Sequence, residues 1–263
     1  MGRYWTIFKI SWQNSIEYRF DFVAHMVLGL ISLMVTLFIF KAVFSQTDNF
    51  SGYTFSSMFT YLVMTKVLHF STRGNTARYI ASEIKEGKLS MYLIRPIGYL
   101  RYWLSLFLAD RFFEIFVRFL LLIIFFLFFS QHLRLPSPGT IFVFILFLTI
   151  SLALNYLINI FISSFAFWVT DIRLFSSALG LITGFLAGAL VPLDILPLPI
   201  KKLSLFLPFQ YAMYFPIKIY QNSLSLTEIF KGFGLAIGWI FVLVFFLKFF
   251  WLKGLKRYEA VGQ

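Results

Sequence analysis

The chain of 263 residues is 60% hydrophobic and only 13% charged, with a mean hydropathy of +0.83. These values exclude a soluble globular domain and predict an integral membrane protein. The absence of cysteine excludes disulfides, thiolate metal sites and cysteine nucleophiles. The formal net charge of +12 would suggest nucleic-acid binding in a soluble protein, but in a membrane protein the enrichment of Lys and Arg on the cytoplasmic side explains it without nucleic acid.

The first segment, residues 3–19, carries apolar side chains at helical spacing. Four of them recur at steps of three or four residues: Trp5, Phe8, Trp12 and Ile16. Polar residues fall largely elsewhere on the helical wheel, which predicts an amphipathic helix lying in the cytoplasmic interface. The alternative is that these residues are the first turns of a long first span.

Six apolar runs follow, most of them close to the length of about 20 residues that a hydrocarbon core requires. They are residues 22–44, 53–70, 103–129, 140–169, 174–190 and 229–252. The pattern predicts an all-α integral membrane protein, with six transmembrane helices in one domain over residues 1–263. With both termini in the cytoplasm, this topology places a clear excess of Lys and Arg at the inner face.

The connection between the second and third runs, residues 76–98, is polar and basic. Its part from 82 to 98 reads SEIKEGKLSMYLIRPIG and must lie against water or a partner protein. Ile80 and Ile84 share one helical face, and Gly87 can end the helix. The sequence therefore predicts a docking helix, or alternatively a connector that only follows the positive-inside rule.

Residues 191–225 are too apolar for an aqueous loop and too broken for a span. Five prolines interrupt them: Pro192, Pro197, Pro199, Pro208 and Pro216. This pattern predicts one or two short re-entrant helices. Ser225 and Glu228 then stand at capping-box spacing before the last run.

Small residues recur every four positions in the fifth run. Gly180, Gly184 and Gly188 form a small-xxx-small pattern that allows another helix to approach closely. We expect these glycines to form a helix-packing or dimer face.

Several charged side chains fall within or at the ends of the apolar runs. They are Lys66, His69, Asp110, Arg111, Glu114 and Arg118. A charge at mid-bilayer costs about 2.5 to 3.5 kcal/mol on insertion scales, so these residues require partners. Two interpretations stay open: a polar lining that admits a substrate head group or locks the chain to a partner, or a stabilising ladder near the interface.

The sequence contains no G-x-x-x-x-G-K-[ST] motif, and His25, His69 and His132 lack the spacing of a metal site. We therefore expect no catalytic, cofactor or metal site in this chain, and no enzymatic activity of its own. If the protein drives transport with ATP, a separate ATPase subunit must bind the ATP and magnesium.

The order of these parts resembles the permease subunits of bacterial type-2 ATP-binding-cassette exporters, in particular a six-span branch with a Glu-x-x-x-Gly-x-Leu…Leu-x-Arg-Pro signature. Its residues here are Glu83, Gly87, Leu89, Leu93, Arg95 and Pro96. The Pro-rich segment before the last run is similar to the segment at the same place in these permeases. The resemblance implies that the connection after the second span is a coupling helix seated in a groove of a cytoplasmic ATPase. It assigns eight residues to that contact: Ile80, Glu83, Ile84, Glu86, Gly87, Leu89, Arg95 and Pro96.

The resemblance further implies two ATPase subunits, a second permease of the same or a different kind, and a location in the bacterial inner membrane. The alternative function is a secondary transporter or channel, with an ion or proton relay of intramembrane charges. That relay would use Lys66, His69, Asp110 and Glu114. The transported substrate does not follow from the sequence.

Overall fold

The computed structural model describes residues 2–17, 19–68, 75–94, 96–129, 136–169 and 172–258. Within these ranges every regular element is a helix, which confirms the predicted all-α class. The α-helices are α1 (Gly2–Glu17), α2 (Arg19–Phe44), α3 (Phe55–Val67), α4 (Asn75–Lys85), α5 (Leu89–Leu93), α6 (Tyr99–Phe129), α7 (Pro138–Ser164), α8 (Ile172–Leu186), α9 (Leu198–Phe206), α10 (Tyr214–Tyr220) and α11 (Leu226–Arg257). Short 3-10 helices cover Phe165–Phe167, Leu193–Ile195 and Pro208–Ala212.

Three stretches of helix in the described ranges are long and apolar enough to cross a membrane. They are Val27–Phe44 within α2, Pro138–Phe167 and Leu226–Arg257. Helix α6 has 31 residues, which corresponds to a length of about 46 Å at 1.5 Å per residue. These helices confirm a membrane protein, whereas the number of six spans stays a prediction.

The predicted second span begins as α3, directly after a capping box. The Ser57 amide donates to Thr54 Oγ1 at 3.4 Å, and the Thr54 amide donates to Ser57 Oγ at 2.9 Å. With 13 residues, α3 is about 20 Å long, less than the hydrocarbon thickness of about 30 Å. Residues 69–74, which include His69, lie outside the described residues, so a crossing by residues 53–70 stays a prediction.

The Pro-rich segment folds as two 3-10 helices alternating with α9 and α10. Pro197 directly precedes α9, and Pro208 opens the second 3-10 helix. Helix α10 is largely buried and packs against α7. The structure thus shows short helices in this segment, with Pro199 and Pro216 in the first turns of α9 and α10. That these helices are re-entrant stays a prediction.

Helix α7 lies at the centre of the fold, in contact with α4, α10 and α11. Helix α11 joins two clusters of buried side chains at different heights. Ala236 packs in a cluster with Phe215 of α10, and Trp251 in a cluster with Tyr99 of α6 and Ile80 of α4. Since 15 residues separate Ala236 from Trp251, these two contacts lie about 22 Å apart along α11.

Helix α1 is a separate helix that lies along α6. Its aromatic side chains form one face, with Trp5 stacked on Phe8 at 5.2 Å between ring centroids. Phe8 packs on Phe112 and Trp12 on Phe113, both edge to face. The aromatic residues at the predicted helical spacing therefore pack α1 on α6. The position of α1 in the membrane interface stays a prediction.

Candidate functional site: the coupling segment and the polar groups of the helix bundle

Helix α4 buries one face and exposes the other. Ile80, Ala81 and Ile84 are buried, whereas Tyr79 and Lys85 are exposed. The last helical residue is Lys85, and the Glu86 amide still donates to the Ser82 carbonyl at 2.8 Å. Gly87, the predicted end of the helix, follows with a positive φ of 73°. A glycine adopts this left-handed conformation without steric cost, and so the chain turns into α5.

Glu83 connects α4 to the start of α6. Its Oε2 accepts a hydrogen bond of 2.7 Å from the Tyr99 hydroxyl and one of 3.1 Å from the Trp103 indole N–H. Burial and the adjacent Glu83 carboxylate raise the pKa of Tyr99, so its hydroxyl keeps its proton and acts as the donor. The carboxylate is therefore used within the chain, where it holds α4 against α6.

Both ends of the chain support the coupling segment. The Gly98 amide donates to the Tyr4 hydroxyl at 3.2 Å, and the Ser90 amide donates to the Tyr258 hydroxyl at 3.2 Å. The ring of Tyr99 also stacks on Trp251 at 5.7 Å between centroids. Contacts to α1, α6 and α11 thus fix the position of this segment.

The exposed residues of the segment lie mainly from the end of α4 to the end of α5. Leu93 is 53% exposed and Ile94 is 86% exposed. Lys85, Glu86 and Lys88 are exposed nearby, with Lys88 Nζ 2.5 Å from Glu86 Oε2. The hydrogen bond from Lys88 lowers the pKa of Glu86, and the same contact raises the pKa of Lys88, so both stay charged near neutral pH.

This geometry shows which of the predicted contact residues are exposed. Ile80 and Ile84 of α4 and Leu89 of α5 face the interior, because they pack in one cluster with side chains of the chain's own α6, α7 and α11. They cannot enter a groove of a partner while this packing persists. Pro96 is exposed, and Arg95 lies outside the described residues.

The charges of α6 are paired within the chain. Glu114 Oε2 lies 3.1 Å from Arg111 Nη1 and 3.8 Å from Arg118 Nη2. The Ser11 hydroxyl of α1 donates to Asp110 at 3.4 Å. These pairs favour the interpretation of a stabilising ladder, because each charge already has a partner of suitable chemistry.

Lys66 of α3 lies beside the first and third predicted spans. Its Nζ donates to Ser32 Oγ of α2 at 3.0 Å, and Arg118 of α6 donates to the Lys66 carbonyl. Lys66 therefore joins α3 to α2, and Arg118 joins α3 to α6. The fourth member of the predicted relay, His69, lies outside the described residues.

The glycine pattern is shorter than predicted. Gly180 and Gly184 lie on α8, and a Cβ added at either position would meet no atom within 4 Å. Gly188 lies beyond the end of α8 with a φ of 80°, and a Cβ there would lie 2.7 Å from the Tyr61 hydroxyl. The prediction of one three-glycine helical face is therefore wrong for Gly188, while Gly180 and Gly184 retain open space beside them.

A polar cluster around Asp194 was missed by the sequence analysis. Its carboxylate accepts hydrogen bonds from Tyr53 and Tyr214, both at 2.9 Å, and pairs with Lys201 at 3.1 Å and Lys218 at 3.2 Å. Burial by itself raises the pKa of Asp194. The charge of Lys218 and the hydrogen bonds from Lys201, Tyr214 and Tyr53 lower this pKa by more, so the net pKa is below its usual value. Its signal in the sequence is that Asp194 is the single carboxylate among several lysines in residues 191–225.

A polar stripe along α7 was also missed. Ser151, Asn155, Asn159 and Ser163 are all buried and follow one another at four-residue spacing in an otherwise apolar helix. Ser151 Oγ donates to the Tyr211 carbonyl at 2.7 Å and so holds the Pro-rich segment. The spacing in the sequence could have revealed this stripe.

The fold and these sites define a multi-pass helical membrane protein with an internally anchored connecting segment. The chain matches the model of the ABC-2 family transporter protein family over residues 30–262, and it belongs to this family. The family contains the membrane components of ABC transporters and not their ATPases, in agreement with the lack of a nucleotide-binding motif. No match was found among curated proteins.

Proposed function

We propose that this chain is the membrane-spanning permease subunit of an ATP-driven exporter in the bacterial inner membrane, with both termini in the cytoplasm. It forms a translocation pathway with a second permease, and residues 76–98 couple it to separate ATPase subunits. Family membership and the long apolar helices support the permease role. ATP and magnesium bind in the ATPase partner and not in this chain.

The exposure of Leu93 and Ile94 carries the coupling proposal. These apolar side chains lie at the end of α5, and charged Lys85, Glu86 and Lys88 are exposed nearby. A partner protein can bury such side chains in an apolar groove and contact the charges at its rim. Because Glu83 holds α4 on Tyr99 and Trp103, a force on this surface reaches α6 directly.

Helix α8 supports pairing with a second permease. Gly184 leaves open space on this helix, so a helix of another subunit can approach its backbone closely there. Gly180, one turn away, also has open space and borders the cleft between α7 and α8. The second permease is another copy of this chain or a different chain.

Co-purification tests the coupling surface. An affinity-tagged chain is expressed in its own host, and the recovery of ATP-binding-cassette ATPase subunits is measured for the wild type and for the double variant Leu93→Ser with Ile94→Ser. We expect recovery of the ATPase to fall roughly tenfold or more in the variant, since buried apolar anchors dominate such contacts. Leu198→Ser is the matched control, because Leu198 is equally apolar and 64% exposed but belongs to the Pro-rich segment.

Unchanged ATPase recovery with the double variant would contradict the coupling proposal. Transport in vesicles that contain no ATPase, driven by an imposed ion gradient, would instead support a secondary transporter. Asp110 and Glu114 already have partners within the chain, Ser11 and Arg111, and this does not favour that alternative.

A further inference from the structure

A small pocket lies between α7 and α8, next to α4 and the Pro-rich segment, with a volume of about 40 Å³. Polar side chains line one part of it: Asn155 and Asn159 of α7, and Ser176 and Thr183 of α8. Apolar side chains line another part, among them Ile158 and Ile162. The lining is thus amphipathic, with hydrogen-bonding groups and hydrocarbon close together.

Asn159 presents an unused hydrogen-bond acceptor to this pocket. The residue is only 3% exposed, and its Nδ2 donates to the Asn155 carbonyl at 2.8 Å and to Asn155 Oδ1 at 3.0 Å. Both of these partners are acceptors, which fixes the orientation of the Asn159 amide group. Its Oδ1 is then left buried without a hydrogen-bond donor.

Ser176 adds a second unsatisfied group on the facing helix. Its Oγ is buried and has no hydrogen-bond partner in the described part of the chain. An unsatisfied buried polar group is unfavourable, so two of them in one pocket favour an occupant that bonds to both. The occupant must donate a hydrogen bond to Asn159, whereas Ser176 can either donate or accept.

The lining also limits the charge and size of the occupant. Among the described side chains that line the pocket none is charged, so an ionised group would have no counter-charge there. A volume of about 40 Å³ admits two or three groups of the size of water. A hydroxyl or carboxamide fits these limits, with its attached hydrocarbon against Ile158 and Ile162.

We propose that this pocket binds the uncharged, hydrogen-bond-donating head group of an amphipathic cargo, a hydroxyl or a carboxamide on an apolar chain. The identification of the occupant as cargo rests on the proposed transport function. Ala77 of α4 also lines the pocket, so a bound head group contacts the helix that carries Glu83. The pocket therefore lies between the α7 polar stripe and the coupling segment.

Photolabelling of the purified permease in nanodiscs tests this assignment without the ATPase. The probe is a twelve-carbon alcohol with a diazirine next to its hydroxyl end, and labelled peptides are identified by mass spectrometry. We expect saturable labelling of α7 and α8, which dodecanol and dodecanamide compete away and dodecane and dodecanoate do not.

Two variants and two matched controls make the test specific. Asn159→Leu and Ser176→Ala each remove one of the unsatisfied groups, and we expect each to lower the apparent affinity of the probe by roughly three- to tenfold, as the loss of one hydrogen bond predicts. Thr149→Val changes an exposed site on α7, and Ser177→Ala an exposed site next to Ser176; both should label like the wild type. Ser176→Ala removes a hydroxyl without a partner, so it keeps the test valid even if Asn159→Leu fails to fold.

Equal labelling of Ser176→Ala and the wild type, or equal competition by dodecane, would overturn the assignment and leave a pocket filled with water or lipid chains. Specific labelling in a permease that recovers no ATPase would retain the pocket and contradict the proposed transport role. Absence of specific labelling in a permease that still recovers the ATPase would contradict the pocket assignment and retain the proposed transport role.

Discussion

The Tyr99 hydroxyl donates a hydrogen bond of 2.7 Å to the Glu83 carboxylate. This bond joins the last turn of α4 to the first turn of α6. Glu83 is part of the motif that resembles the coupling signature, yet its side chain contacts its own chain and not an exposed surface. Glu83 therefore positions the segment, and in the proposed coupling it acts through that position.

The first prediction concerns this positioning role. Glu83→Ala removes the acceptor of Tyr99 and Trp103 and should destabilise the protein by about 1 to 3 kcal/mol, since it leaves two partly buried donors unpaired. We expect a lower apparent unfolding temperature in detergent and a lower recovery of ATPase. Glu86→Ala is the control, because Glu86 is exposed and should leave the unfolding temperature unchanged. Equal unfolding temperatures for Glu83→Ala and the wild type would contradict this role.

The second prediction concerns the Asp194 cluster. Asp194→Asn removes the negative charge that faces Lys201 and Lys218 and weakens the bonds from two tyrosines. We expect a destabilisation of about 1 to 3 kcal/mol, because hydrogen bonds to a charged group contribute more than neutral ones. The readout is thermal unfolding, together with protease cleavage in the Pro-rich segment. Asp48→Asn, at an exposed site, should not change either measurement; a loss of the same size in both variants would refute the specific role of Asp194.

Local chemistry explains what the sequence predicted correctly. The glycine at position 87 ends α4 because it tolerates a positive φ, and the Ser225–Glu228 capping box opens α11 as its spacing indicated. The aromatic spacing of residues 3–19 predicted a separate helix with one apolar face. Each of these features depends on a few neighbouring residues and is therefore visible in the sequence.

Features that depend on distant partners could not be predicted in the same way. The spacing of Ile80 and Ile84 shows that they share a face, but not whether a partner protein or the chain's own α6 and α7 cover it. Gly188 continues the four-residue spacing past the end of α8, where a hydrogen bond from Tyr61 to its carbonyl accompanies a different backbone conformation. Tertiary packing decides both cases.

The third prediction compares two glycines on the same helix. A Cβ at Gly232 would lie 1.9 Å from Phe215 Cζ, whereas a Cβ at Gly238 would meet no atom within 4 Å. Gly232→Ala must push the ring of Phe215 away and should destabilise the protein by about 1 to 3 kcal/mol, as overpacking usually does. Gly238→Ala should change the stability by less than about 1 kcal/mol. Thermal unfolding of both variants checks the close approach of α11 to α10, and equal effects would contradict it.

The fourth prediction tests the six-span orientation and uses the absence of cysteine in the natural chain. Single cysteines are introduced as Ile94→Cys in the coupling segment and Asp48→Cys in the connection before α3, both at exposed positions. A membrane-impermeant maleimide should label Asp48→Cys from outside the cell and Ile94→Cys only in inside-out vesicles, because one span separates them in the predicted topology. Bound ATPase should protect Ile94→Cys but not Asp48→Cys, since a seated partner covers the coupling surface. Labelling of both cysteines from the same side would mean that residues 53–70 do not cross the membrane. The predicted six-span topology would then be wrong.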